Sequence, residues 1–179
     1  MKKIYITDRK RLPPGKTLLS TIDSILPEGL YALYLREMDL NDSDYIALAK
    51  QVQSICKKYN TSMILPSHVS FLDHFPTAWV QVGKGRPWIK NRITGYSAHG
   101  VEEAIQASQK DVDYIFLSPI FSTPSKTATQ PLGLEPLKWL SQQIATPVFA
   151  LGGIQTQHFS ELEKTGIAGI AGIGLFQCL

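Results

Sequence analysis

Small, hydroxyl-bearing and cationic residues gather after the last three short apolar runs of the sequence. The set comprises Thr123, Ser125, Lys126, Gly152, Gly153, Ile173 and Gly174. Glycines let a backbone approach phosphate oxygens, backbone N–H groups donate hydrogen bonds to them, and a lysine brings a mobile positive charge. The set therefore predicts a site for a phosphorylated, anionic ligand. The alternatives are that the glycines only allow tight turns and that Lys126 is a solvated loop residue.

Two other apolar runs are followed by side chains that suit anion binding and proton transfer. Arg36 follows one run, and its guanidinium could bind an anion through two parallel hydrogen bonds; the alternative is an ion pair with Glu37 or Asp39. Ser97 and His99 follow the other run. An imidazole exchanges protons near neutral pH, so His99 is a candidate proton shuttle. The alternative for His99 is a hydrogen-bonded structural role in the first turn of a helix.

These side chains need elements that bring the ends of the apolar runs together. Eight runs are predicted as strands: residues 4–7, 30–35, 62–65, 78–82, 92–96, 114–117, 148–151 and 168–173. Helices are predicted at residues 17–26, 41–59, 99–109, 134–144 and 156–165, with only short or distorted ones beside the fourth strand. Apolar runs without polar alternation are typical of parallel strands buried on both faces. The alternation of strands and helices along the chain predicts a compact TIM (β/α)8 barrel, which is a single α/β domain over residues 1–179. Its last helix is truncated to residues 175–179.

Composition narrows the classes of partner and compartment. The 179 residues carry a formal net charge of +3, scattered without a basic run, so we expect no nucleic-acid partner. No apolar stretch approaches the roughly 20 residues needed to span a bilayer, and no signal segment precedes the first strand. We therefore expect a cytoplasmic protein without a membrane partner. Cys56 and Cys178 are far apart and outside metal-ligand spacing, which indicates reduced thiols.

Five segments follow one another in a recognisable order and spacing. They are residues 34–38 (YLREM), 95–99 (GYSAH), 113–126 (DYIFLSPIFSTPSK), 147–154 (PVFALGGI) and 166–173 (GIAGIAGI). Together they resemble the thiamine phosphate synthase and TenI family. The resemblance implies a TIM barrel of thiamine biosynthesis. Its synthases join a pyrimidine pyrophosphate to a thiazole phosphate with Mg²⁺, and its TenI-type members are tautomerases that aromatise the thiazole phosphate precursor.

The resemblance also implies roles for the loop residues. Thr123, Ser125 and Lys126 match the Thr-x-Thr-Lys loop that lies near the thiazole and the pyrophosphate. Either Gly152 or Gly153 would donate a backbone hydrogen bond to the thiazole phosphate. The other backbone donors implied for that phosphate are Ile173 and Gly174.

Departures from the family pattern bear on the pyrophosphate site. Arg36 and Ser97 match pyrophosphate contacts, but Tyr34 and Met38 stand where the synthases have Gln and Lys. We retain Tyr34 as a substrate-binding residue. The histidine that the tautomerases place after strand six corresponds to Pro119.

Both Mg²⁺ carboxylates of the synthases are replaced. Pro66-Ser67 stands where they have Asn-Asp, and Arg86 stands where a second Asp follows strand four. Mg²⁺ usually takes one or two carboxylates, so we expect no metal ligand and no cofactor, with Mg²⁺ only if the chain is a synthase. Lys84 and Arg86 are candidates to replace the cation. The remaining histidines, which are His68, His74 and His158, show no metal spacing and are interpreted as surface residues.

The expected function follows from these matches and departures. We expect an enzyme that binds a small phosphorylated heterocycle, thiazole phosphate. The leading hypothesis is a TenI-like thiazole tautomerase with a degraded synthase metal site, with His99, Lys126 and Arg36 as its catalytic residues and Tyr96 as the alternative proton-transfer group. One alternative is a thiamine phosphate synthase, a transferase; another is a catalytically silent ligand-binding or regulatory barrel.

A truncated last helix would leave an apolar flank of the barrel uncovered. We expect this flank to be covered in a homo-oligomer, because contiguous apolar surface of this kind marks interaction sites. Sedimentation at micromolar concentration should therefore detect a dimer or a larger species. A monomer under those conditions would contradict the prediction.

Overall fold

Eight parallel strands close into a barrel, in sequence order, in the computed structural model, which describes residues 1–123 and 129–177. The strands are Lys2–Ile6 (β1), Ala32–Tyr34 (β2), Ser62–Pro66 (β3), Trp79–Val82 (β4), Thr94–Ala98 (β5), Tyr114–Leu117 (β6), Val148–Leu151 (β7) and Gly169–Gly172 (β8). Because β1 pairs with both β2 and β8, the sheet has no open edge. The predicted TIM barrel is confirmed.

Helices and short 3-10 turns connect the strands. The α-helices of the described residues are Leu18–Ile25 (α1), Asp42–Lys58 (α2), Val101–Ser108 (α3), Leu134–Gln143 (α4), Phe159–Glu163 (α5) and Gly174–Gln177 (α6). In the part of the chain that the structure describes, the 3-10 turns are Arg9–Arg11, Leu26–Glu28, Leu72–His74 and Thr156–His158. The sequence predicts short or distorted helices beside β4; the connections on either side of it, residues 67–78 and 83–93, contain no α-helix and only the 3-10 turn Leu72–His74. The predicted helix 156–165 is a 3-10 turn followed by α5.

Side-chain caps set the starts of the first two helices. Thr17 Oγ1 accepts a hydrogen bond from the Ser20 backbone N–H, and Ser20 Oγ accepts one from the Thr17 N–H, which is a reciprocal capping box. Asn41 Oδ1 accepts from the Asp44 N–H at the start of α2. These signals are local, so they are readable in the sequence, and both helices begin close to their predicted starts.

Two of the displaced boundaries have causes that an apolar pattern does not report. The fifth strand begins at Thr94 instead of 92, because the Arg92 guanidinium donates to the carbonyl oxygens of Leu72 and Phe75 and holds Arg92 in the preceding connection. The third helix begins at Val101 instead of 99, because Gly100 is its extended N-cap residue, with φ −167°.

Aromatic and branched side chains fill the barrel interior. The interior cluster consists of Ile4, Ile6, Ala32, Tyr34, Ile64, Tyr114, Phe116, Phe149 and Ala171. The ring of Tyr114 lies with its centroid 5.3 Å from that of Phe116 and 6.0 Å from that of Phe149. Gly95 makes room for it, since a Cβ at this position would lie 2.1 Å from Tyr114 Cζ. A packed interior leaves the carboxyl-end rim as the place for ligand chemistry.

The segment after β8 packs back onto the barrel. α6 is only four residues long, and Phe176 on it is buried with its ring centroid 5.7 Å from that of Tyr5. Residues 178 and 179, and with them Cys178, lie outside the described residues. Cys56 is buried on α2, where burial raises its pKa to about 12. Among the described residues, no helix has both the length and the apolar character needed to cross a membrane. The homo-oligomer stays a prediction.

Candidate functional site

The candidate residues lie at one rim of the barrel, because parallel strands point their carboxyl ends to the same side. Those at or just after the ends of β2, β5, β6, β7 and β8 are Tyr34, Arg36, Ser97, His99, Thr123, Gly152, Gly153, Ile173 and Gly174. Ser125 and Lys126 fall outside the described residues. The last four of these strands are neighbours in the barrel, so the tertiary structure brings the loops after β5, β6, β7 and β8 together.

An imidazole bridges the ends of β5 and β6. Nδ1 of His99 lies 3.2 Å from the backbone oxygen of Ser118 and 3.2 Å from its Oγ. The sequence predicts His99 either as a proton shuttle or as a hydrogen-bonded structural residue. It is hydrogen-bonded, and it lies beside the residue that precedes Pro119. The sequence does not identify Ser118 as its partner, because the two are 19 residues apart.

The Ser118 contacts allow both neutral tautomers of the His99 ring. The backbone oxygen of Ser118 can only accept a hydrogen bond, so contact with it requires a proton on Nδ1 and leaves Nε2 as a base. The Ser118 hydroxyl can instead donate to Nδ1, which puts the ring proton on Nε2 and makes that nitrogen a hydrogen-bond donor. In the first tautomer Nε2 can take up a proton, and the imidazolium that forms can return it.

The phenol of Tyr96 is bound away from the rim. Its hydroxyl donates a 2.7 Å hydrogen bond to Glu103 Oε1 on α3. Burial, and then the bond and charge of Glu103, raise the pKa of Tyr96 to about 12. A phenol this weakly acidic does not release its proton near neutral pH. Of the two proton-transfer groups proposed from the sequence, His99 is therefore the better suited.

Ser97 is oriented from below by a buried amide. Nε2 of Gln81 donates to Ser97 Oγ at 2.9 Å, and Gln81 is buried. A hydroxyl that accepts from an amide has its own proton free to point elsewhere, which suits it to donate to an anion. Gln81 Oε1 and Tyr114 Oη are buried without a hydrogen-bond partner among the described residues. Sequence reasoning missed Gln81, because its apolar flanks conceal a single polar side chain in a strand.

The acidic residues after β2 are held by Arg9 and not by Arg36. The Arg9 guanidinium lies 3.0 Å from Glu37 Oε2 and 2.6 Å from Asp39 Oδ1, and the Arg9 backbone N–H also donates to Glu37. Glu37 is only 2% exposed, and Arg36 is exposed. The Arg36 N–H donates to Thr7 Oγ1 at 3.0 Å, whereas no described acidic side chain pairs with its guanidinium. The alternative of an ion pair between Arg36 and Glu37 or Asp39 is therefore wrong.

Tyr34 lies at the end of β2 as part of the floor beneath the rim. It is 7% exposed, and its ring centroid is 6.4 Å from that of Phe116. Burial raises the pKa of Tyr34 to about 12, which the nearby Arg36 charge opposes. The hydroxyl is therefore protonated at neutral pH.

The residues after β3 and β4 do not fit a Mg²⁺ ion. Pro66 ends the first of these strands and Ser67 follows it, donating its N–H to the Gln81 carbonyl oxygen. Lys84 and Arg86 follow β4 and are exposed. Within the described residues, no group of three or more His, Cys, Asp and Glu side chains could hold a metal ion. A hydroxyl, a proline and two cations are therefore a poor donor set for a hard divalent ion.

Arg86 lies at a small cavity beside β4. It lines a cavity of about 170 Å³ between the β4–β5 connection and α3, with Trp88, Tyr96, Glu103 and Lys110 among the other lining residues. Its use in place of the metal cation stays a prediction.

The glycines after β7 have a steric role of their own. Gly152 and Gly153 have φ of +97° and +67°, in the region that favours glycine. A Cβ on Gly153 would lie 2.3 Å from the Ser122 carbonyl oxygen, and one on Gly152 would lie 2.9 Å from Pro119 Cα. The loop after β7 is thus seated directly against the loop after β6. This supports the alternative that these glycines allow a tight turn, and it leaves their phosphate contacts as predictions.

His158 is not a simple surface residue. It is partly buried, and its ring stacks on that of Phe121 with centroids 3.9 Å apart. The stacking ties the start of α5 to the loop after β6. His68 and His74 are exposed, as predicted.

Known proteins resemble this chain over nearly all of its length. A family model described as thiamine monophosphate synthase (TMP-TENI) matches residues 4–176. The chain is 37% identical over 184 aligned positions to "Putative thiamine-phosphate synthase 2" of Aquifex aeolicus, covering 98% of each. It is 31% identical to a thiamine-phosphate synthase of Ruminiclostridium cellulolyticum, covering 94% of this chain and 84% of that one. A solved thiamine phosphate pyrophosphorylase of Pyrococcus furiosus superposes with a TM-score of 0.84 at 27% identity, covering 97% and 85%.

Replacing Arg9 should destabilise the rim more than replacing its neighbour. Arg9→Ala leaves the buried Glu37 carboxylate without its charged donor, and we expect the free energy of unfolding to fall by about 2 kcal/mol. Lys10→Ala removes only an exposed pair with Asp39 and should cost less than about 1 kcal/mol. Urea unfolding of both variants measures the difference, and equal losses would contradict the assigned role of Arg9.

Gly153 should be required for the stability of the fold, independently of any ligand. In Gly153→Ala the new Cβ meets a backbone oxygen at a left-handed φ, so we expect a loss of about 2 kcal/mol or more. Gly83→Ala is the matched control, because a Cβ there meets nothing within 4 Å. Thermal or denaturant unfolding tests this, and equal stability of the two variants would refute it.

Proposed function

Because the chain belongs to the thiamine monophosphate synthase family, we propose that it binds a thiazole phosphate at the carboxyl-end rim and tautomerises the bound heterocycle. The observation that carries this proposal is the contact of the His99 imidazole with Ser118. The TenI-type tautomerases are expected to place a histidine after strand six, where this chain has Pro119. His99 reaches the same strand end from β5 and supplies the missing imidazole from another loop.

The proposed reaction is a balanced proton transfer. His99 removes one proton from a carbon of the non-aromatic thiazole precursor, and a proton is returned to another atom of the same conjugated system. No bond to a leaving group breaks, and no electron acceptor is consumed. One imidazole that takes up the proton and returns it from the imidazolium is sufficient for both halves of the transfer.

Cations and hydrogen-bond donors at the rim support the anionic part of the ligand. Arg36 is exposed and has no described acidic partner, so its guanidinium remains available for an anion. Ser97 accepts from Gln81 and can donate its own proton upward. We assign Thr123 to the wall and Tyr34 to the floor of the same site.

The loops after β6, β7 and β8 hold the remaining proposed contacts. Backbone N–H groups of Gly152 or Gly153, and of Ile173 and Gly174, are proposed donors to the thiazole phosphate. Lys126 and Ser125, outside the described residues, are proposed as the charge and the hydroxyl that complete the pocket.

Thiamine phosphate synthesis is the second candidate function. The names of the relatives in Aquifex aeolicus and Ruminiclostridium cellulolyticum favour it. It requires departure of pyrophosphate, and the donor set after β3 and β4 does not fit the Mg²⁺ that would stabilise that charge. Tautomerisation requires no such stabilisation, which is why it is preferred.

Replacing His99 should separate catalysis from binding. His99→Ala should lower kcat for aromatisation of the thiazole phosphate precursor about 10²-fold to 10⁴-fold, as expected for loss of a general acid–base group. Affinity for thiazole phosphate, measured by calorimetry, should be retained. His74→Ala is the control, because His74 is exposed in the connection between β3 and β4.

Two assays on the wild-type protein distinguish the candidates. Product in the tautomerase assay, without thiamine phosphate formation from pyrimidine pyrophosphate and thiazole phosphate, supports the proposal. Thiamine phosphate formation would establish the synthase instead. Binding without turnover in either assay would identify a silent ligand-binding barrel.

A further inference from the structure

We infer that Glu103 is a positioning residue, whose carboxylate fixes His99 against Ser118 in the geometry that the proton transfer needs. The inference deepens the proposed function and rests on it. Nothing in the family resemblance singled out Glu103, and its part at the site follows from its contacts alone.

The carboxylate of Glu103 joins three pieces of structure. Oε2 accepts a 2.8 Å hydrogen bond from the backbone N–H of His99, and Oε1 accepts a 2.7 Å hydrogen bond from the hydroxyl of Tyr96. Tyr96 belongs to β5, His99 follows that strand directly, and Glu103 lies in the first turn of α3. One side chain therefore fixes the path by which the chain leaves β5.

This contact fixes the entry of the chain into α3, which has no side-chain cap. The N-cap residue, Gly100, has no side chain and provides no cap hydrogen bond. Glu103 is the third residue of the helix and reaches back, as in a capping box, but to the residue before the N-cap. The backbone of His99 is thus tied directly to the helix that follows it, and its conformation does not depend on Gly100 alone.

The same tie determines where the imidazole lies. With its N–H held by Glu103, His99 directs its ring across the rim, and Nδ1 contacts both oxygens of Ser118 after β6. The carboxylate and the imidazole serve one site in different ways: the carboxylate holds the backbone of His99, and the imidazole carries the proton. Release of the backbone would let the ring move away from Ser118.

The carboxylate is charged under ordinary conditions. Burial opposes the charge of Glu103, but the hydrogen bonds from the His99 N–H and the Tyr96 hydroxyl outweigh it and keep its pKa below the usual range. Hydrogen bonds to a charged acceptor are shorter and stronger than neutral ones. The positioning contact is therefore present throughout the neutral range in which an imidazole exchanges protons.

The decisive experiment compares substitutions at two adjacent carboxylates. Glu103→Ala should lower kcat about 10²-fold, the cost of a misplaced catalytic group, with little change in KM. Glu102→Ala is the matched control, because Glu102 lies in the same helical turn but is exposed, and it should leave kcat unchanged. Glu103→Gln should recover most of the activity, since its amide oxygen can accept from the His99 N–H while its NH₂ group faces Tyr96.

Nitrogen NMR of the His99 ring gives a readout that is independent of turnover. In Glu103→Ala the Nδ1 and Nε2 resonances should shift as the contact with Ser118 is lost, whereas in Glu102→Ala they should not. Unchanged resonances in a folded Glu103→Ala protein would overturn the inference, whatever the activity. A shift in Glu103→Ala, in a wild type that shows no tautomerase turnover, would refute the proposed function and retain the positioning of His99.

A second variant covers the case in which Glu103→Ala does not fold. Tyr96→Phe removes one of the two hydrogen bonds to the carboxylate and keeps the carboxylate in place. Compared with Glu103→Ala, it should produce a smaller decrease in kcat and a smaller shift of the His99 resonances. No change in either measurement would contradict the inference.

Discussion

Closure of the sheet between its first and last strands is the constraint on which the rest of the structure depends. β8 pairs with β1 over Gly169↔Lys2 to Gly172↔Tyr5. A Cβ on Gly169 would lie 2.2 Å from the Lys2 carbonyl oxygen, so this pairing needs a glycine. Without closure the carboxyl ends of β1 and β8 would lie on an open edge, and Arg36 would not share one rim with the loops after β7 and β8.

The rim that closure creates divides into two chemically different halves. On the side of β1 and β2, Arg9 holds the acidic Glu37 and Asp39, and hydrogen bonds from Arg9 and Lys10 keep the pKa of Asp39 well below its usual range. Their negative charge is thereby paired away from Arg36, which favours an anionic ligand. On the side of β5 and β6, the imidazole of His99 is the proposed proton-transfer group. The proposed binding and tautomerisation of a phosphorylated heterocycle depend on these two halves lying side by side.

The candidate site was only partly predictable from the sequence. Features set by neighbouring residues were predictable, and contacts between residues far apart in the sequence were not. The rim positions of Arg36, Ser97 and His99 follow from where apolar runs end, which is a local signal. Their partners Thr7, Gln81 and Ser118 lie 29, 16 and 19 residues away, and no periodicity connects them. The alternative of an Arg36 ion pair is wrong for the same reason: Glu37 and Asp39 are neighbours of Arg36 in sequence, but Arg9 is their neighbour in space.

The sequence by itself determined the strand order, the helix starts at Thr17 and Asn41, and the chemical types of residue at the rim. These depend on apolar periodicity and on caps that act within four residues, so they can be read along the chain. Only the tertiary structure decided that Arg9 pairs with Glu37, that Glu103 holds His99, and that the glycines after β7 are seated on the loop after β6. The physical reason is that hydrogen bonds and steric contacts act over a few ångströms in space, and the barrel brings together residues that the sequence separates.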